Sequence, residues 1–168
     1  MRIAVLGNAG SGKSTLSVAI SQQYALPLHE VDRFMWGEGW AMTPVAEYEA
    51  VHDPIIATDH WLMDGMGHRE SLVRRLDRAT HVILCDFPLW QNFWLVAERQ
   101  KAWAAGTLTL RPGDQDTPPP TKPLFETIWK IEKNWMPDIR SIVDAVEGQK
   151  PVHRIMSFEA LQDFAFTP

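Results

Sequence analysis

Gly7-Asn8-Ala9-Gly10-Ser11-Gly12-Lys13-Ser14 fits the pattern G-x-x-x-x-G-K-[ST] between an apolar run, Ile3-Ala4-Val5-Leu6, and a helix-like stretch over residues 13–24. A strand before and a helix after are the context in which this pattern forms a phosphate-binding P-loop. The pattern constrains the fold because it needs a buried strand at one end and a helix N-terminus at the other. Glycines at 7, 10 and 12 let the backbone wrap closely and aim its N–H groups inward. The positive end of the following helix adds to the same spot. Lys13 would reach β- and γ-phosphates, and the Ser14 hydroxyl would take a place on Mg²⁺. Thr15 either adds a hydroxyl near the α-phosphate or is an ordinary first-turn residue. The segment from Gly7 to Thr15 therefore reads as a site for a nucleoside triphosphate with Mg²⁺.

The 168-residue chain suits one domain of ordinary size, and its 45% apolar content marks it as globular. No apolar run approaches the roughly 20 residues of a membrane span. Met1-Arg2-Ile3 leads straight into the first apolar run, so no signal peptide is expected. The lone Cys85 points to a reducing cytoplasm. A net charge of −5 disfavours direct, sequence-independent binding to nucleic acid.

Short apolar runs alternate with helical patterns, the signature of an α/β fold with a mostly parallel sheet. Strands are predicted at 2–6, 27–30, 61–64, 81–86 and 152–155. Helices are predicted near 13–24, 44–58, 70–77, 89–105, 124–146 and 158–164. Thr43-Pro44 reads as a capping hydroxyl followed by proline at the first helical position, and Ser157 as the cap of the last helix. Pro137 should break or kink the long sixth helix. Residues 106–122 lose all periodicity and read as a loop insertion, long enough in a compact domain to suggest a function.

A P-loop needs an acidic partner for its metal at the end of a neighbouring strand. Local pattern offers Asp64, after Trp61-Leu62-Met63, and Asp86, after Val82-Ile83-Leu84-Cys85. Asp86 follows the longer apolar run, but the choice depends on which strand lies beside the first. Arg99 falls just before the long loop and Arg111 within it. Both are candidates for neutralising charge on a transferring phosphoryl group. Arg74, Arg75 and Arg78 read as a charged, exposed helix face. The six histidines show no zinc spacing, and Cys85 reads as a small core residue.

Several motifs in order carry a wider resemblance. After the P-loop come His29-Glu30-Val31-Asp32 with Trp36 and Gly39-Trp40, then Trp61-Leu62-Met63-Asp64-Gly65 with Arg69. Leu84-Cys85-Asp86-Phe87-Pro88 follows, and Val152-His153-Arg154 with Ser157 closes the series. On these the chain resembles the adenylate-kinase-like P-loop kinases, and most closely the bacterial group of DNA topology modulation proteins. The resemblance implies a three-layer P-loop NTPase fold with a five-stranded parallel sheet in the order 2-3-1-4-5 and a short lid at about 106–122. It places the third strand beside the first, which makes Asp64 the metal-side carboxylate. It implies ATP as donor, lid-side roles for Arg99 and Arg111, and an acceptor held by Asp32, Arg33 and Arg69. Trp36 and Trp40 either stack on a base or sugar face of the acceptor or pack in the core. In the similar shikimate and gluconate kinases an aspartate at the position of Asp32 holds the acceptor hydroxyl. The chain departs from adenylate kinases after Asp64-Gly65, where Met66-Gly67-His68-Arg69 replaces Phe-Pro-Arg, and its lid is short and proline-rich.

The expected activity is transfer of a phosphoryl group from Mg²⁺-ATP to a nucleotide, a nucleoside or a small hydroxylated metabolite. The alternative is a nucleotide-dependent regulatory NTPase, related to DNA topology, with weak or no kinase activity.

Overall fold

The computed structural model describes residues 1–109, 111 and 117–168. In chain order its elements are β1 (Arg2–Gly7), α1 (Lys13–Tyr24), β2 (Leu28–Glu30), α2 (Asp32–Met35), a 3₁₀ turn (Glu38–Trp40), α3 (Val45–Ala57), β3 (Trp61–Asp64), α4 (Arg69–Arg78), β4 (His81–Cys85), α5 (Leu89–Ala104), α6 (Thr121–Asn134), α7 (Met136–Val146), β5 (Val152–Ile155) and α8 (Phe158–Asp163).

The strands form one parallel sheet in the order β2-β3-β1-β4-β5. Because successive side chains of a strand point to opposite faces, β1 feeds two separate cores. Ala4 and Leu6 join Tyr48, Trp61, Met63, Leu72, Leu84, Ile139 and Val143 on one face. Ile3 and Val5 join Leu16, Ile20, Leu62, Ile83, Ile155 and Phe166 on the other. Continuous apolar strands are what burial on both faces demands.

Register sets the position of the site. Val5 pairs with Asp64 across to β3, and Gly7 pairs with Cys85 across to β4. The entry to residues 7–14 thus lies between the carboxyl ends of the two neighbouring strands, where open parallel sheets bind ligands. Cys85 is buried in this layer, and burial pushes its thiol up to about 12, so it behaves as core and not as a nucleophile.

Local sequence signals shape several of these elements. Ser157 caps α8 by accepting a hydrogen bond from the Ala160 N–H at 3.1 Å. The sixth predicted helix is two, α6 and α7, broken at Trp135 with Pro137 in the first turn of the second. At α3 the expectation is corrected. Pro44 itself is the N-cap in extended conformation, no side chain caps the helix, and the Thr43 N–H donates to the Met35 carbonyl. A residue before proline is held extended, and here that extension closes a turn begun at α2. Of the predicted 106–122 insertion, Leu110 and residues 112–116 lie outside the described residues. The Gln100 side chain donates to the Pro119 carbonyl at 2.8 Å, which ties the end of this segment to α5.

Candidate functional site

Residues 7–14 wrap into a loop with every polar side chain engaged. Asn8 donates through its side-chain amide to the Ile128 carbonyl at 3.0 Å and accepts from the Ala9 N–H at 2.8 Å. Ser11 donates to the Asn8 carbonyl at 2.8 Å, and so does Lys13 through Nζ at 2.9 Å. The Asn92 amide donates to the Ala9 carbonyl at 3.1 Å, which fastens the loop to α5. Gly10 is fixed by that contact. Its φ is +76°, and a β-carbon there would stand 2.5 Å from the Asn92 carbonyl oxygen. Asn92, Val96 and Arg99 recur at helical spacing on one face of α5. That face touches the loop, so Arg99 is carried to the adjoining cleft.

The cleft has a volume of about 1050 Å³ and runs from the loop across the carboxyl edge of β1, β2 and β3. It brings together Lys13, Ser14, Thr15, Asp32, Trp36, Asp64, Arg99 and Arg111, along with Gly7, Ala9, Gly10, Ser11 and Gly12. Arg33 and Arg69 are not among its lining residues. Arg33 is exposed and bonded to Glu30, and Arg69 is exposed and paired with Asp138 of α7 at 3.2 Å.

Asp64 is buried, with its carboxyl bonded to the Ser14 side chain and lying close to Lys13. Burial raises its pKa to about 6, against the opposing pull of Lys13 and Ser14. Its Oδ1 has no hydrogen-bond partner. An anionic oxygen left orphaned beside a hydroxyl at a helix N-terminus fits a hard divalent cation, so Ser14 and Asp64 are the residues that could hold Mg²⁺. Among the described residues no group of three or more His, Cys, Asp or Glu could hold a metal. The rival carboxylate, Asp86, is spent elsewhere: Arg140 grips it at 2.7 and 2.9 Å and also reaches Glu132 at 2.8 Å.

Arg75 stands behind the loop that follows Asp64 and does not belong to the charged, exposed face expected of α4. Far from lying on an exposed face, it is wholly buried. It donates to the Gly65 carbonyl at 2.5 Å, the Met66 carbonyl at 3.0 Å, the Tyr48 hydroxyl at 3.1 Å and His52 Nε2 at 3.3 Å. Accepting that bond commits His52 to the tautomer whose Nδ1–H faces Asp53 Oδ1 at 2.7 Å. Burial and the Arg75 charge both lower the His52 pKa, in keeping with a ring nitrogen that accepts from Arg75. Arg75 therefore clamps the loop that follows Asp64. Gly67 lies beneath the clamp with φ +72°, and a β-carbon there would fall 2.1 Å from the Tyr48 oxygen. A signal was present, since Ser71, Leu72, Arg75 and Leu76 fall on one helical stripe. Arg74 pairs with Glu49 and Asp53, and Arg78 donates to the Ile56 and Ala57 carbonyls.

The far wall of the cleft comes from residues 30–42. Asp32 opens α2 and is exposed, and it is the opposite charge that acts on Arg99, whose pKa burial lowers. Trp36 and Trp40 pack with ring centroids 6.4 Å apart and planes tilted by 59°. Both line the cleft, with Met42 beside them.

No family model matches the chain, and no curated protein matches it. Solved structures do. Shikimate kinase from Acinetobacter baumannii in complex with shikimate is similar at a TM-score of 0.54 and 12% identity, over 84% of this chain and 79% of that one. Shikimate kinase from Aquifex aeolicus is similar at a TM-score of 0.44 and 19% identity, over 81% of this chain and 99% of that one. At such identities the likeness is one of architecture, and it agrees with the strand order: the chain has a P-loop kinase fold.

Proposed function

We propose that the chain is a Mg²⁺-dependent phosphotransferase that moves the γ-phosphoryl group of ATP to a hydroxyl of a nucleotide, a nucleoside or a small hydroxylated metabolite. The observation that carries this is the convergence of Lys13, Ser14, Asp64, Asp32 and Arg99 on one cleft. The residues 7–15 cradle the triphosphate through backbone N–H groups, and Lys13 leaves the Asn8 carbonyl to meet the β- and γ-phosphates. Mg²⁺, bound at Ser14 and Asp64, would neutralise charge on the phosphate oxygens. Asp32 orients the acceptor hydroxyl and takes its proton as the oxygen attacks the γ-phosphorus and the bond to the β-phosphate's bridging oxygen breaks. Arg99 stabilises the charge spread over the transferring group, with Arg111 adding to it from the lid segment.

Acceptor contacts are assigned to Asp32 and Trp36, while Arg33 and Arg69 remain with their carboxylate partners. The finer likeness to the DNA topology modulation group rests on the motif series. An exposed carboxylate, Asp32, whose charge acts on the half-buried Arg99 favours transfer to an acceptor over a purely regulatory NTPase. The test is a coupled ADP-release assay over nucleotides, nucleosides and small polyols, with a no-acceptor control. Acceptor-dependent release that vanishes in Lys13→Ala supports the reading. Release that is equal with and without every acceptor defeats it.

A further inference from the structure

The wall formed by residues 30–42 has a chemistry that narrows the acceptor. Its charged cleft-lining side chains, Glu30 and Asp32, are both carboxylates, and Asp64 adjoins them. The lining cations come from other elements: Lys13 from the loop at 7–14, Arg99 from α5, Arg111 from the segment before α6, and Lys130 from α6. Residues 110 and 112–116 contain no lysine or arginine. Arg33 on the same wall pairs with Glu30, so the carboxylate that an acceptor meets there is Asp32, and an anionic group set against it would meet like charge.

The same wall is aromatic and is held in a costly shape. The Gly37 N–H donates to the Ala41 carbonyl at 2.8 Å, and Trp36 bridges to Met42 in antiparallel fashion, closing a tight turn. Within it Gly39 has φ +66° and Trp40 φ +65°. A left-handed backbone is a strained state for a bulky side chain, and strain of this kind gathers where a ligand is gripped. The turn brings Trp40 beside Trp36 and leaves Met42 55% exposed in the cleft.

We propose that the acceptor is an uncharged, hydroxylated molecule bearing a flat unsaturated ring, of the nucleoside class, with its ring against Trp36, Trp40 and Met42 and its hydroxyl at Asp32. This rests on the phosphotransferase reading and excludes phosphorylated acceptors. Indole faces take any flat heterocycle through stacking, while the carboxylate accepts a hydroxyl hydrogen bond.

The test uses the full chain with Mg²⁺ and β,γ-methylene-ATP, titrated calorimetrically with ribonucleosides, their 5′-monophosphates and ring-free polyols. At least one nucleoside should bind, with its monophosphate weaker by roughly tenfold or more. Trp36→Ala and Trp40→Ala should each weaken the nucleoside by roughly tenfold and leave the ATP analogue unaffected. Met42→Arg, on an exposed side chain that folding does not need, should shift preference several-fold toward the monophosphate. The inference is overturned if the monophosphate binds as well as the nucleoside, if only ring-free polyols bind, if no nucleoside binds, or if neither tryptophan variant nor Met42→Arg changes selectivity. Failure of the wild type to bind the ATP analogue is a separate outcome that sinks the phosphotransferase reading itself.

Discussion

The two halves of the cleft are built by different means. On the donor side, backbone does the shaping. Gly10 and its neighbours are boxed in by β4 and α5, polar side chains of residues 7–14 bond to main-chain carbonyls, and the central strands have neighbours on both sides. On the acceptor side, a three-residue strand with one neighbour leads into a four-residue helix and a turn with two left-handed residues. Where backbone geometry dictates function, a short motif carries the information. Where side chains on irregular backbone dictate it, the information is spread through the tertiary structure.

The contrast can be pressed by mutation, beginning with the largest effect. Lys13→Ala should cut phosphoryl transfer by about a hundredfold or more, because one positioned charge on the transferring group is lost, with little change in melting temperature. Near-normal turnover would remove the donor side from the mechanism. Arg75→Met strips the Gly65 and Met66 carbonyls of their donor inside the core. A loss of about 2–4 kcal/mol is expected in urea unfolding, together with weakened Mg²⁺-dependent nucleotide binding. A melt within a degree of wild type would show that the clamp does not hold the loop.

Asp64→Asn separates stability from function. The folded carboxyl titrates at about 6, above its ordinary 3.8, so the folded chain binds that proton more tightly than the unfolded one. This contribution to stability is complete below about pH 4 and is lost as pH rises through 6. The asparagine variant should lack that slope and melt a few degrees higher at neutral pH without ligand. Mg²⁺ should no longer tighten its hold on an ATP analogue. A flat wild-type profile from pH 4 to 7 would contradict the burial argument. The smallest effect belongs to Arg140→Ala, which frees Asp86 and Glu132 at a partly exposed site and should cost about 1–2 kcal/mol. Nucleotide affinity should be untouched, and a change there would tie Asp86 to the donor side after all.

The sheet could be read from the chain because strands buried on both faces show as continuous apolar runs, and Pro137 and Ser157 act within their own few residues. Strand order came through the resemblance, and with it the choice of Asp64 over Asp86. Arg75 escaped because its charge outweighed its place on an apolar stripe. The tilt of Trp40 could not be read either, since a positive φ at tryptophan is imposed by the closed turn and contradicts the residue's own preference.

The position of β2 has a consequence for how such a molecule can diversify. A strand with one neighbour can be lengthened, shortened or re-turned without disturbing the register of β1 with β3 and β4. Changes between Leu28 and Met42 therefore alter what is held at the rim while the machinery at the centre of the sheet stays in place. Loops on a rigid scaffold tolerate such change readily. This arrangement makes the segment the natural place to retarget the chain by design, by transplanting alternative 28–42 segments that keep Asp32 onto an unaltered centre.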